Sequence, residues 1–253
     1  MGIERITHTA KSAIKNLGHR FGLELRVSGP RSRPELRLVK FLNHHGIDLI
    51  IDVGANRGQF SKEIFHAGYL GEIVSFEPLP NAHAQLIQAA RPFNGRWKIA
   101  PRMALSDRAG LAEMQITRSD TSSSLLEPTK KFVETVSRVE VVGRTSVPTE
   151  RLDVAIKDYL SAAKKIFLKI DVQGFEKQVL DGSKETISII DGAIVEVCTD
   201  KLYSGQSDIA EILDVFSSEK FELWDINTVF RDPDTLRMAA VDMVYFKVPG
   251  RES

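Results

Sequence analysis

The chain has a single cysteine, Cys198, among 253 residues. It cannot close an internal disulfide, and a reducing compartment is expected. No run of about 18 apolar residues occurs, which excludes a helical membrane span, and the N-terminus lacks the apolar core of a secretion signal. A soluble, cytoplasmic protein is therefore expected. Net charge is missing as well: 34 Lys and Arg are matched by 34 Asp and Glu, so no overall field recruits nucleic acid. Ile6 stands where an N-myristoylated chain carries Ser or Thr. Also absent are G-x-G-x-x-G, the G-K-[ST] of a P-loop and any Tyr-x-x-x-Lys pair. These absences count against an NAD-dependent sugar oxidoreductase or epimerase, which stays as the alternative enzyme. None of the six histidines has zinc-site spacing with Cys198.

What is present is an alternation of strand and helix patterns from residue 47 onward. Strands are expected at 47–53, 72–77, 97–103, 165–171, 191–197, 220–226 and 239–248. Helices are expected at 58–67, 80–91, 151–161, 174–190 with a break near Gly182, and 207–218. This order implies an α/β fold with a seven-stranded, mostly parallel sheet covered on both faces. The last two strands form a hairpin around Asp232-Pro233-Asp234 and supply an antiparallel edge strand. Residues 104–150 break the alternation with two extra strands, 111–117 and 139–147, around the polar tract Ser119–Ser124. Such an insertion is a lid or a surface loop, and residues 118–137 are expected to close over the site.

Residues 1–45 form a basic helical N-terminal extension, with nine Lys and Arg against three Asp and Glu, and residues 46–253 form the main domain. Ile3, Ile6, Ala10, Ala13, Leu17 and Phe21 recur at helical spacing. That stripe suits packing on the domain or on a second copy in a homodimer. It also suits peripheral contact of residues 3–21 with an anionic membrane surface.

The segment Leu49-Ile-Ile-Asp-Val-Gly-Ala-Asn-Arg-Gly58 is the most informative. An apolar strand ends in Asp52 and breaks into a turn bearing Gly54 and Gly58, followed by a helix. This arrangement brings backbone N–H groups and a helix N-terminus to a ligand. Nineteen residues beyond Gly58 a second apolar run ends in Glu77, where an acid accepts from ribose hydroxyls. A carboxylate in the turn repels phosphate but suits the ammonium of a methionine-like group. S-adenosylmethionine carries such an ammonium, a ribose and no phosphate.

Seven segments then occur in order over about residues 47–200. They are Asp52-Val-Gly-Ala-Asn-Arg-Gly58, Phe76-Glu-Pro78, Ala104-Leu-Ser-Asp107, Ser123-Ser-Leu125, Glu150-Arg-Leu-Asp153, Leu168-Lys-Ile-Asp-Val-Gln-Gly174 with Glu176, and Ile194-Val-Glu-Val197. Together they resemble the FkbM family of S-adenosylmethionine-dependent methyltransferases. The resemblance implies a class I methyltransferase (Rossmann-like) fold and O-methylation of a sugar, glycolipid or polyketide-type hydroxyl. It further implies that Asp52, Gly54, Asn56 and Gly58 line the methionine part of the cofactor, that Glu77 holds the ribose, and that Ser106 and Asp107 edge the adenine. Gln173 departs from the family, which frequently has Glu there. A non-catalytic binding module on the same fold is the other alternative.

A hydroxyl is a poor nucleophile and benefits from a base. Open α/β sheets place ligands at strand C-terminal ends, which makes Asp171 and Glu196 the candidate catalytic acids. Lys169, on the same strand face as Asp171, can pair with a carboxylate or orient a substrate oxygen. Asp171, Glu196 and Asp200 are hard oxygen ligands able to hold Mg2+, but acids on neighbouring strand ends are common without a metal, and none is expected.

Overall fold

A computed structural model describes residues 29–160 and 165–248. The amphipathic stripe at residues 3–21, with its membrane or dimer contacts, lies outside the described residues. The first described helix, α1 (Pro34–His45), starts at a proline suited to a first helical turn and stops at Gly46, whose φ of 66° caps it. It buries Leu38, Val39 and Leu42 in the same core as Ile50, Phe167 and Phe246. The expected boundary at residue 45 is thereby corrected, because α1 belongs to the main domain.

The strands β1 (Leu49–Val53), β2 (Glu72–Phe76), β3 (Trp97–Ile99), β7 (Ile166–Ile170), β8 (Gly192–Cys198), β9 (Phe221–Arg231) and β10 (Met238–Lys247) form one sheet in the order β3-β2-β1-β7-β8-β10-β9. The first five are parallel; β10 runs antiparallel to β8, and β9 pairs antiparallel with β10 at the edge. β1 and β7 are buried throughout, as the apolar runs predict for a sheet covered on both faces. Alternate residues feed two cores. Leu49, Ile51 and Leu168 join the core beneath α5 (Leu152–Ala155), α6 (Glu176–Asp181), α7 (Lys184–Ile189) and α8 (Ile209–Ser218). Ile50 and Phe167 join the core beneath α1, α2 (Gln59–His66) and α3 (Pro80–Ala90).

The expected strand 97–103 divides. Pro101 has no N–H to give a ladder, so β3 ends at Ile99. The chain then moves to a second, three-stranded sheet of β4 (Ala104–Leu105), β5 (Gly110–Thr117) and β6 (Val141–Glu150). Helix 151–161 is likewise shorter than expected, being α5 and one 3-10 turn, Lys157–Tyr159. The insertion carries one helix, α4 (Lys130–Thr135). Strand order runs outward from β1 to β3 on one side and from β7 to β8 on the other. The sheet therefore switches direction between β1 and β7, and a ligand crevice opens where their C-terminal ends meet.

Candidate active site

The turn after β1 lies directly on the end of β7. Gly54 has a φ of 76°, and a Cβ there would stand 1.9 Å from the carbonyl oxygen of Asp171. Only glycine permits both the conformation and the approach. The turn is clamped from the other side by Glu77, which is 3% exposed. Its Oε2 accepts from the Asn56 N–H and its Oε1 from the Leu79 N–H, both at 2.8 Å. Burial pushes the Glu77 carboxyl up to about 7, against the opposing pull of those two N–H groups.

Asp52 does not face the turn. It is fully buried; its Oδ2 accepts from Ser61 Oγ at 2.8 Å and Ser75 Oγ at 3.0 Å, and its Oδ1 meets Lys169 Nζ at 3.1 Å. The expectation that Asp52 reaches a cofactor ammonium is corrected here, and the reason is strand parity. Asp52 shares the face of Ile50 and points under α2, where Ser61 lies. Lys169 also donates to the Gly54 carbonyl at 3.1 Å and stands 3.6 Å from Asp171 Oδ2. Burial alone would lower the Lys169 ammonium, but Asp52 and Asp171 outweigh it and raise it above an ordinary lysine.

Between these elements lies an open cleft. Its floor is Gly54, Asn56, Lys169 and Asp171; one wall is apolar, with Leu79, Met103, Leu105, Met114 and Leu125; and its rim includes Asp120, Thr121 and Gln173. Gly54, Asn56, Glu77, Lys169 and Asp171 are thus brought together as the sequence reading expects. Five other residues are not. Gly58 stands behind the turn, where a Cβ would strike the Trp97 ring. Ser106 turns its backbone to Gly182 and its Oγ to Asp107, and neither lines the cleft, which is lined here by Met103, Ala104 and Leu105. Glu196 is buried behind the cleft, bonded to Gln173. Asp200 pairs with Lys131. Among the described residues no three His, Cys, Asp or Glu side chains converge as metal ligands.

The sequence profile of the Methyltransferase FkbM domain matches residues 52–223, which include every element of this cleft. The chain belongs to the FkbM methyltransferase family. The 2-O-methyltransferase NoeI of Sinorhizobium fredii is 30% identical over 185 residues, covering 69% of this chain and 72% of that one. Solved structures of similar fold include magnesium protoporphyrin IX methyltransferase from Synechocystis PCC 6803, with 11% identity, a TM-score of 0.47 and coverage of 87% and 80%. Precorrin-6y C5,15-methyltransferase from Geobacter metallireducens is another, with 8% identity, a TM-score of 0.46 and coverage of 85% and 87%. Likeness at that level says nothing of substrate.

This FkbM protein is a methyltransferase dependent on S-adenosylmethionine, and the nicotinamide alternative falls. Among its described residues no helix is long and apolar enough to cross a membrane. Sequence reasoning missed the importance of Gln173 and Tyr203. Gln173 Nε2 donates to Asp171 Oδ1 at 2.8 Å and to Glu196 Oε1 at 2.9 Å, while its Oε1 accepts from the Tyr203 hydroxyl at 2.7 Å. Four acids crowd this corner. Burial, then Asp171, Asp242 and Glu176, push Glu196 well above the usual carboxyl range. Burial raises Glu176 to about 7 despite N–H groups from Gly174 and Val172, and raises Asp242 to about 7 with help from Asp171. No local sequence signal announces this cluster, because its members come from β7, α6, β8 and β10.

Proposed function

We propose that this methyltransferase methylates a hydroxyl oxygen of a sugar, glycolipid or polyketide-type acceptor, with Asp171 taking the hydroxyl proton. The observation that carries the reading is the Asp171 carboxylate, 33% exposed to the cleft beside the Gly54 turn while Lys169 stands behind it. The 2-O-methyltransferase relative supports an oxygen acceptor. The cleft also fits the cofactor. The apolar wall of Leu79, Met103 and Leu105 suits a purine, and Glu77 keeps a second lone pair on each oxygen for ribose hydroxyls. Gly54 and Asn56 would border the methionine end. When bound, the sulfonium supplies an electrophilic methyl group.

The residues of the chain then have separate tasks. Lys169 fixes the turn through the Gly54 carbonyl and fixes β1 through Asp52. Asp171 presents its free lone pairs to the acceptor hydroxyl, holds that hydroxyl in line and accepts its proton as the oxygen becomes an ether. Among the described residues Lys169 is the cation that lines the cleft, and it is paired with acids; Arg57 near the rim is paired with Asp120. The walls therefore suit a neutral, hydroxyl-rich acceptor better than a phosphate.

Calorimetry with S-adenosylhomocysteine is expected to show binding at micromolar concentration or tighter, and NAD none. Asp171→Asn is expected to lower kcat by about 10²–10⁴-fold with S-adenosylhomocysteine affinity unchanged. Retention of kcat within about threefold would refute Asp171 as the base. Mass spectrometry of glycans and lipids from cells with and without the gene should find a species lighter by one methylene, which names the acceptor.

A further inference from the structure

We propose that Gln173 is a positioning residue of the transfer: its amide holds the Asp171 carboxylate toward the cleft and prevents it from sharing a proton with Glu196 behind. This rests on the reading of Asp171 as proton acceptor. Gln173 is held unusually firmly. Its φ of 57° is left-handed for a residue other than glycine, and its backbone carbonyl accepts from Ser124 Oγ of the insertion at 2.7 Å.

The amide is fully occupied and can sit only one way round. Both N–H bonds go to carboxylates, Asp171 and Glu196, and the carbonyl oxygen takes the Tyr203 hydroxyl, which also lies 3.3 Å from the Ser122 carbonyl. Reversal would turn the amide oxygen against the Asp171 carboxylate and lose that hydrogen bond. Two carboxylates meeting at one point without a donor between them relieve their repulsion by sharing a proton. An amide removes that need without taking up a proton itself. A glutamate at 173 would add a third carboxylate and supply no N–H.

The charges that face Asp171 come from every packed element: Lys169 on β7, Glu176 on α6, Glu196 on β8 and Asp242 on β10, with Asp52 beyond the lysine. Burial favours the neutral form of Glu196, Glu176 and Asp242. Gln173 therefore gives Asp171, the member that opens to the cleft, an N–H donor on its inner oxygen.

The test uses the full chain with Gln173→Glu, Gln173→Leu and, as a milder change, Tyr203→Phe. Tritiated methyl transfer from S-adenosylmethionine to a glycan extract of the source cells is followed against pH, alongside melting temperature and calorimetric affinity for S-adenosylhomocysteine. Gln173→Glu should move the acid limb of the rate profile up by about one pH unit, which is about a tenfold lower rate at any pH on that limb. Its affinity should stay within about threefold of the parent, and its melting temperature should fall more at alkaline than at acid pH. Superimposable profiles, or affinity falling in step with rate, would overturn the proposal. If the Gln173 variants do not fold, an unmoved profile in Tyr203→Phe overturns it equally. If the extract accepts no methyl group, a melting difference that does not vary with pH does so. Transfer that survives Asp171→Asn would instead refute the base, leaving the melting curves to judge Gln173.

Discussion

Replacing Lys169 by methionine should cost this protein more stability than its single position suggests. Met keeps the apolar stem but removes the charge. The ammonium now lies 3.1 Å from Asp52 Oδ1 and 3.6 Å from Asp171 Oδ2, and it also bonds the Gly54 carbonyl. At an effective dielectric of about 20 each of these ion contacts is worth roughly 5 kcal/mol gross, much of which offsets the cost of burying the lysine. What decides the outcome is the partner left behind. Asp52 has no exposed surface, and a buried charge stripped of its counter-ion typically costs about 3–5 kcal/mol. The hydroxyls of Ser61 and Ser75 still solvate one oxygen, which places the expected loss near the lower figure, about 3 kcal/mol. Urea unfolding followed by tryptophan fluorescence measures it. The informative control is Lys169→Met with Asp52→Asn: two changes should cost less than one, because the second removes the stranded charge. A loss below about 1 kcal/mol for Lys169→Met, or a double variant worse than the single, would refute the reasoning.

Gly54→Ala puts a methyl 1.9 Å from the Asp171 carbonyl oxygen at a φ of 76°. It should cost at least about 3 kcal/mol and weaken S-adenosylhomocysteine binding, and an unaltered urea midpoint would count against the packing described. Raised acids set the pH dependence of stability. Glu77, Glu176 and Asp242 lie at about 7 in the folded chain, above the ordinary carboxyl value of the unfolded one. The folded state therefore holds protons more tightly, and stability is fullest below about pH 4.5 for these groups and lost as pH rises to about 7. The loss is at most roughly 3 kcal/mol for each glutamate and roughly 4 kcal/mol for Asp242. Melting temperature should fall over that window, and the fall should shrink in Glu176→Gln; a rise would refute the assignment. Arg57 and Asp120 join the turn after β1 to the insertion beside the cleft. Arg57→Ala should leave stability within about 1 kcal/mol, as for exposed pairs, yet speed hydrogen exchange in residues 118–124. Unchanged exchange there would make the insertion a fixed wall.

Much of the architecture is local in origin and was legible. Apolar runs bounded by glycine and proline mark β1, β2, β7 and β8, and the break between α6 and α7 falls at Gly182 and Ser183 as its residues suggest. The Gly54 turn and Glu77 announce a ligand site because their meaning depends on neighbours a few residues away. Even the burial of Asp52 was present in principle, since strand parity puts it on the face of Ile50. What parity cannot say is which strand lies alongside. Asp52 is opposite Lys169 only because β1 pairs with β7, across the whole insertion. The same holds for Asp171 and Glu196, which meet at Gln173, and for Asp242 opposite Glu196, because β7, β8 and β10 are consecutive in the sheet. The residue types at each strand end were determined by the sequence alone. Which ends share a low-dielectric corner was decided by the tertiary structure, because repulsion and burial act through space and not along the chain.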